Sequence, residues 1–127
     1  MVLFVCVENT FRSIMSEAIF NASTPKEWRA ESAGVRAAGA INPVVVELLR
    51  EIGIGLGAKK PRLVMPEMIA SASRVITFGC LDRCPIGAAG KAEDWPIPAS
   101  TGKTMEELRT IRDDLRHRIV DLKNRIE

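Results

Sequence analysis

Val2 to Val5 is an unbroken apolar run (Val-Leu-Phe-Val), so a strand built from it has no face fit for water. That is the pattern of a central strand in a parallel sheet, covered on both sides by helices. It leads directly into Cys6-Val7-Glu8-Asn9-Thr10-Phe11-Arg12-Ser13. Ser13 to Asn21 then reads as a helix, with Ile14, Met15, Ala18 and Ile19 on one face. Strand, short loop and helix in that order restrict the chain to a narrow set of α/β arrangements.

The remaining elements continue the alternation. Trp28 to Val35 alternates loosely and closes on Ser32-Ala33-Gly34, a second strand entering a turn. Asn42-Pro43 marks a helix start, Asn as N-cap and Pro at the first helical position. That helix runs through Val44, Val45, Leu48 and Leu49 to Ile52, with Gly53 where a C-cap belongs. Ile54 to Pro61 reads as loop, Pro66 to Ser71 as a short helix and Arg74 to Phe78 as a third strand. Pro85 to Gly102 is a long loop with room for a short strand at Ala92 to Trp95. The last helix is the clearest: Thr104 and Glu107 make a capping box, and Met105, Leu108, Ile111, Leu115, Ile119, Leu122 and Ile126 recur at helical spacing. The expected fold is a single α/β domain over residues 1–127, an open parallel sheet of about four strands with helices on both faces.

In such sheets ligands bind beyond the carboxyl ends of the strands. Cys6 and Cys80 both fall there, which predicts that they lie close together. The loop from Cys6 to Arg12 has the parts of an oxyanion site. Its backbone N–H groups can turn inward, and the following helix adds its positive end. Arg12 offers a planar fork for two oxygens of a tetrahedral anion. The same positive field favours the thiolate of Cys6, to which Ser13 can donate a hydrogen bond. The local residues alone leave a second reading open, a small buried hydrophobe at a strand end.

Length, charge and hydropathy narrow the class. At 127 residues, 46% hydrophobic and 27% charged, the chain resembles an ordinary globular domain with a proper core. A net charge of +2 makes no case for nucleic acid or an anionic membrane. Lys59-Lys60-Pro61-Arg62 reads as a solvated loop. The N-terminal apolar run is too short for a signal peptide, and no stretch approaches the ~20 apolar residues of a membrane span. The 3 cysteines without a secretion signal point to a reducing cytoplasm.

Cys80-Leu81-Asp82-Arg83-Cys84 adds two thiols. Zinc wants about four ligands. The chain has 3 cysteines and one histidine, His117, which reads as a surface residue of the last helix. No metal or cofactor is expected. Cys80 and Cys84 are then either an inert loop pair or a redox pair on a mobile segment near Gly79 and Gly87-Ala88-Ala89-Gly90.

Cys6 to Glu17 resembles the active-site loop and first helix of the low-molecular-weight protein tyrosine phosphatase family. Ser32-Ala33-Gly34, Asn42-Pro43 and Glu51-Ile52-Gly53-Ile54 follow in family order. Cys80 and Cys84, with Glu93-Asp94-Trp95 and Gly102-Lys103, resemble its thioredoxin-coupled arsenate reductase branch. The resemblance implies a low-molecular-weight phosphatase-like fold and a catalytic set of Cys6, Arg12, Ser13, Cys80 and Cys84. It also implies an arsenate or phosphate oxyanion held by Val7, Glu8, Asn9, Thr10, Phe11 and Arg12, with thioredoxin as reductant. Cys6 would attack arsenic, Cys80 would form a disulfide with Cys6 and release arsenite, and Cys84 would take over Cys80. The alternatives are a phosphatase working through a phosphocysteine and an oxyanion-binding domain without catalysis.

Two departures from the family pattern stand out. Ala99-Ser100 occupies the place of the general-acid Asp-Pro pair, leaving Asp94 as either a stand-in acid or a surface carboxylate. Asn9, Glu17 and Ser32 match a monovalent cation site of some arsenate reductases. The acidic partner of that site is replaced around Arg62, which is expected to supply positive charge itself. No bound cation is expected, and Glu17 reads equally well as an exposed helix carboxylate.

Overall fold

The computed structural model describes residues 1–23, 28–79 and 91–126. Its strands β1 (Val2–Cys6), β2 (Ala30–Gly34), β3 (Arg74–Thr77) and β4 (Ala92–Asp94) form one sheet in the order β2-β1-β3-β4. All three pairings are parallel, with Phe4 opposite Ser32 on one side and Ile76 on the other. The helices are α1 (Arg12–Ser23), α2 (Val44–Arg50), α3 (Pro66–Ser71) and α4 (Met105–Ile126).

The apolar run of β1 is buried on both faces, as its composition requires. Val2, Phe4 and Cys6 join Ile76 and Phe78 in the larger core with the apolar sides of α1, α2 and α4. Phe4 touches the rings of Phe20, Phe78 and Trp95 at centroid distances of 6.1, 6.2 and 5.9 Å. Leu3 and Val5 point the other way, to Val75, Ile69 and Ala72 under α3. Helices therefore cover both faces, three on one and α3 on the other.

Local signals translate well into elements. Asn42 Oδ1 accepts the N–H of Val44 at 3.1 Å, the capping bond expected of Asn42. At the other end of α2, Gly53 adopts φ +80°. Its N–H reaches Arg50 O and that of Ile54 reaches Leu49 O, a Schellman turn. Thr104 and Glu107 exchange their two capping-box bonds at 2.9 and 3.2 Å. On α4 the buried Arg112 donates to Leu48 O and to Glu51 at 3.1 and 2.6 Å, fastening the helix to the end of α2. Hydrogen bonds from Arg109 and Arg112 hold the Glu51 carboxyl down at about 2.

Element bounds shift by one or two residues from the sequence expectation. β3 ends at Thr77, before Phe78, because Gly79 turns the chain with φ +75°. The segment after the Lys59–Arg62 run is not free loop: Leu63 bridges Gly34 in parallel, adding a short fifth rung outside β2. No helix among the described residues is long and apolar enough to cross a membrane.

The connection from β1 to β2 leaves in one direction, and that from β2 to β3 returns across β1. The carboxyl end of β1, where Cys6 sits, is thus the point at which an α/β sheet opens a crevice.

Candidate active site

Between Cys6 and α1 the backbone makes a cup whose shape is set by its carbonyls. The oxygens of Cys6, Val7, Glu8 and Thr10 accept N–H bonds from Val35, Arg36, Ala38 and Asn42 at 3.2, 2.8, 3.1 and 3.1 Å. In a trans peptide the next N–H points the opposite way. The N–H groups of Val7, Glu8, Asn9 and Phe11 are therefore turned away from segment 35–42, into the loop's own concavity. Asn9 N lies 3.2 Å from Cys6 Sγ, as that orientation demands. Asn9 has φ +58°, the left-handed region that a short polar side chain tolerates.

The helix completes the donor set. Its first bond is Met15 N–H to Phe11 O at 2.9 Å. Phenylalanine has no oxygen to cap the first turn, and that turn carries no acidic residue. Its N–H groups and positive end are thus available to an anion.

Cys6 is 3% exposed, and its Sγ lies 2.8 Å from Ser13 Oγ. The direction of this bond follows from its neighbours. Asn9 Oδ1 accepts the Arg62 N–H at 2.9 Å, so its Nδ2 is the end that donates to Ser13 Oγ, at 2.7 Å. With its oxygen accepting from Asn9, the Ser13 hydroxyl is free to donate to sulfur. The chain Arg62 N–H, Asn9, Ser13 ends on Cys6 and directs the Ser13 hydroxyl at its sulfur.

Arg12 opens α1 and is half-buried. Its Nη1 donates to Phe78 O at 2.8 Å and to Ile97 O at 3.0 Å. Both bonds to described residues use the same nitrogen, which leaves the Nε–Nη2 edge of the fork for two oxyanion oxygens. Arg12 also ties the cup to the end of β3, the strand that leads to Cys80.

The expected site residues thus fall into different roles. The backbone N–H groups of Val7, Glu8 and Phe11 are turned away from segment 35–42, and Phe11 buries its ring in the core. Thr10 is half-buried on the rim. Asn9 is fully buried, its side chain turned to Ser13 and the Arg62 backbone. Cys80 and Cys84 lie outside the described residues, as does the expected closeness of Cys80 to Cys6. His117 is exposed on α4.

Three expectations change. Glu17 is not an exposed helix carboxylate: it is 7% exposed and ion-paired to Lys59. Arg62 does not supply the charge beside it; its guanidinium binds Ser32 O and Glu31 at 2.9 and 3.0 Å. The Lys59–Arg62 run is accordingly more than a solvated loop. Asp94 is not a plain surface group. Its Oδ1 accepts from Thr77 Oγ1 at 2.6 Å and from Gly79 N at 2.7 Å, which fixes the chain as it leaves β3. Ala99 is exposed and carries no carboxyl group, while Ser100 Oγ lies 3.5 Å from Asn42 Nδ2.

Gly34 had a place in the motif but no role until the cup was built. A Cβ there would lie 2.7 Å from Val7 O and 2.9 Å from Asn9 N. The loop packs against bare backbone. Gly34→Ala is expected to cost about 1–3 kcal/mol in urea unfolding and to weaken phosphate binding measured by calorimetry. Unchanged values for both would mean the loop does not need that close approach.

The model of the family described as low molecular weight phosphotyrosine protein phosphatase matches residues 1–85. The chain belongs to that family. Among curated relatives, a putative arsenate reductase of Halobacterium salinarum is 33% identical over 124 residues, covering 94% of this chain and 87% of its own. Among solved structures, the low molecular weight protein tyrosine phosphatase from T. tengcongensis aligns with TM-score 0.86 and 28% identity, over 98% of this chain and 97% of that one. A thioredoxin-dependent arsenate reductase of Corynebacterium glutamicum aligns with TM-score 0.83 and 30% identity, over 98% of this chain and 60% of that one. Within the family, then, this phosphatase-like fold has relatives named for both chemistries.

Proposed function

We propose that the protein reduces arsenate to arsenite through Cys6, Cys80 and Cys84. The observation that carries the reading is the Cys6 sulfur held by Ser13 Oγ and Asn9 N–H at the floor of an N–H-lined cup. Arsenate binds in the cup, its oxygens on the inward N–H groups and the free edge of Arg12. The Cys6 thiolate attacks arsenic, and one arsenate oxygen leaves as water after protonation. The Cys80 thiolate then attacks Cys6 Sγ. The S–As bond breaks with its electron pair going to arsenic, which departs as arsenite, and a Cys6–Cys80 disulfide remains. Cys84 attacks the Cys80 sulfur, frees Cys6 as thiolate and leaves a Cys80–Cys84 disulfide. A dithiol protein of the thioredoxin class returns two electrons and two protons, a requirement in keeping with a reducing cytoplasm.

Missing acid chemistry supports this reading over phosphomonoester hydrolysis. A poor alkoxide leaving group needs a general acid, worth about 10²–10⁴ in rate. Ala99 has none, and Asp94 Oδ1 is engaged by Thr77 and Gly79. The deciding experiment is NADPH oxidation coupled through thioredoxin reductase and thioredoxin, with arsenate and, separately, hydrolysis of an aryl phosphate without reductant. Arsenate-dependent oxidation is the expected result. Aryl phosphate turnover with no arsenate-dependent oxidation would overturn the reading in favour of a phosphatase. Phosphate binding with neither activity would make the domain a non-catalytic oxyanion binder.

A further inference from the structure

The hydrogen-bond chain that ends on Cys6 begins at the Arg62 N–H, on a residue whose carbonyl accepts the Gly34 N–H and whose side chain binds Ser32 O and Glu31. No residue from 57 to 63 is buried. Three residues before Arg62, the Lys59 ammonium is ion-paired with Glu17 Oε2. Glu17 lies on α1 one turn beyond Ser13, and its side chain is 9% exposed against 27% for Lys59. Glu17 Oε1 and Ser32 Oγ are buried there without a hydrogen-bond partner among the described residues. Ser32 is the residue whose carbonyl accepts from Arg62 Nε at 2.9 Å. A buried carboxylate this poorly supplied with donors depends on a cation, and within the described residues Lys59 is the cation paired with it.

We propose that Lys59 is a positioning residue for the nucleophile, a built-in cation that acts on Cys6 in two ways. By pairing with Glu17 it adds a tie to α1 beside the bonds Arg62 makes to β2, so that the Arg62 N–H stays on Asn9 and Asn9 keeps the Ser13 hydroxyl directed at sulfur. By neutralising Glu17 it removes a negative charge one helical turn from Ser13, the residue whose hydroxyl lies against the Cys6 sulfur. Neither action depends on which oxyanion the cup takes, so the proposal stands apart from the arsenate reading. Lys59 touches no reacting atom.

The test uses the chain with Cys80→Ser and Cys84→Ser, in which Cys6 is the remaining thiol, and follows its alkylation by iodoacetamide at neutral pH. Lys59→Met is expected to slow alkylation about 3- to 30-fold, since both the anchor and the compensating charge are lost. Lys59→Arg is expected to stay within about twofold of the parent, because the positive charge is retained. Lys59→Ala is expected to recover with ammonium chloride but not with tetramethylammonium chloride at equal ionic strength, the larger ion being too bulky for the space a lysine leaves. If Lys59→Met does not fold, Glu17→Gln/Lys59→Met buries no charge and takes its place; it should still react more slowly than the parent, having lost the anchor. Parent-like alkylation in Lys59→Met or in the double variant would overturn the proposal. So would a slowing that neither arginine nor ammonium reverses.

Discussion

Cys6→Ser is expected to abolish arsenate-dependent turnover, a fall of about 10⁴-fold or more, because a buried serine hydroxyl is a far weaker nucleophile than a thiolate. The loss should be chemical. Cys6 Sγ makes short contacts to Ser13 Oγ and Asn9 N, both of which an alcohol oxygen can replace, so the cup should still bind phosphate. Cys84→Ser is the informative partner to this variant. With Cys6 and Cys80 intact it should release one equivalent of arsenite per chain and then stop, its Cys6–Cys80 disulfide unresolved. Rapid-quench measurement of arsenite separates the two. Continued multiple turnover by Cys84→Ser with thioredoxin would show that the third thiol is not part of the relay.

Arg12→Lys is expected to reduce kcat/KM for arsenate by about 10²–10³, the usual loss when one aimed donor is taken from a developing oxyanion. Charge is conserved in this change and geometry is not. The guanidinium satisfies two carbonyls, Phe78 O and Ile97 O, through Nη1, and both bonds leave its Nε–Nη2 edge for an oxyanion. A lysine ammonium is one point charge on a flexible stem and cannot serve both sides at once. If it stays on the carbonyls the oxyanion loses its fork, and if it turns to the anion two carbonyls lose their donor. Steady-state kinetics with unfolding in urea as control distinguish the cases. A loss of less than about threefold would mean that the N–H cup carries oxyanion recognition without the fork.

Much of the site was legible in eight consecutive residues. Cys6, Arg12 and Ser13 are placed by the end of β1 and the start of α1, elements whose signals lie within a few residues of each other. The Asn42 cap, the Gly53 turn and the Thr104–Glu107 box were readable for the same reason, since each satisfies its own helix end from nearby side chains. Less legible were residues that act across the fold. Glu17 sits on the buried side of α1, but its helical position does not say which basic residue meets it. Lys59 and Arg62 both belong to the same basic run, and only the folded chain shows that Lys59 meets Glu17 while the Arg62 side chain binds Ser32 O and Glu31. Asp94 reads from sequence as a stand-in acid or a surface carboxylate, and only the pairing of β4 with β3 sets it beside Thr77 and Gly79.

By itself the sequence determined the parallel sheet and the strand end at which Cys6, Arg12 and Ser13 come together. Those follow from hydrophobic period, helix capping and the closeness of these residues in one short loop, all of them local. Only the tertiary structure decided that Gly34 must lack a side chain, that the Arg12 fork is split between carbonyls and cup, and that Lys59 faces Glu17. These depend on strand register and on backbone contacts between segments tens of residues apart, and spacing along the chain does not encode which groups will meet.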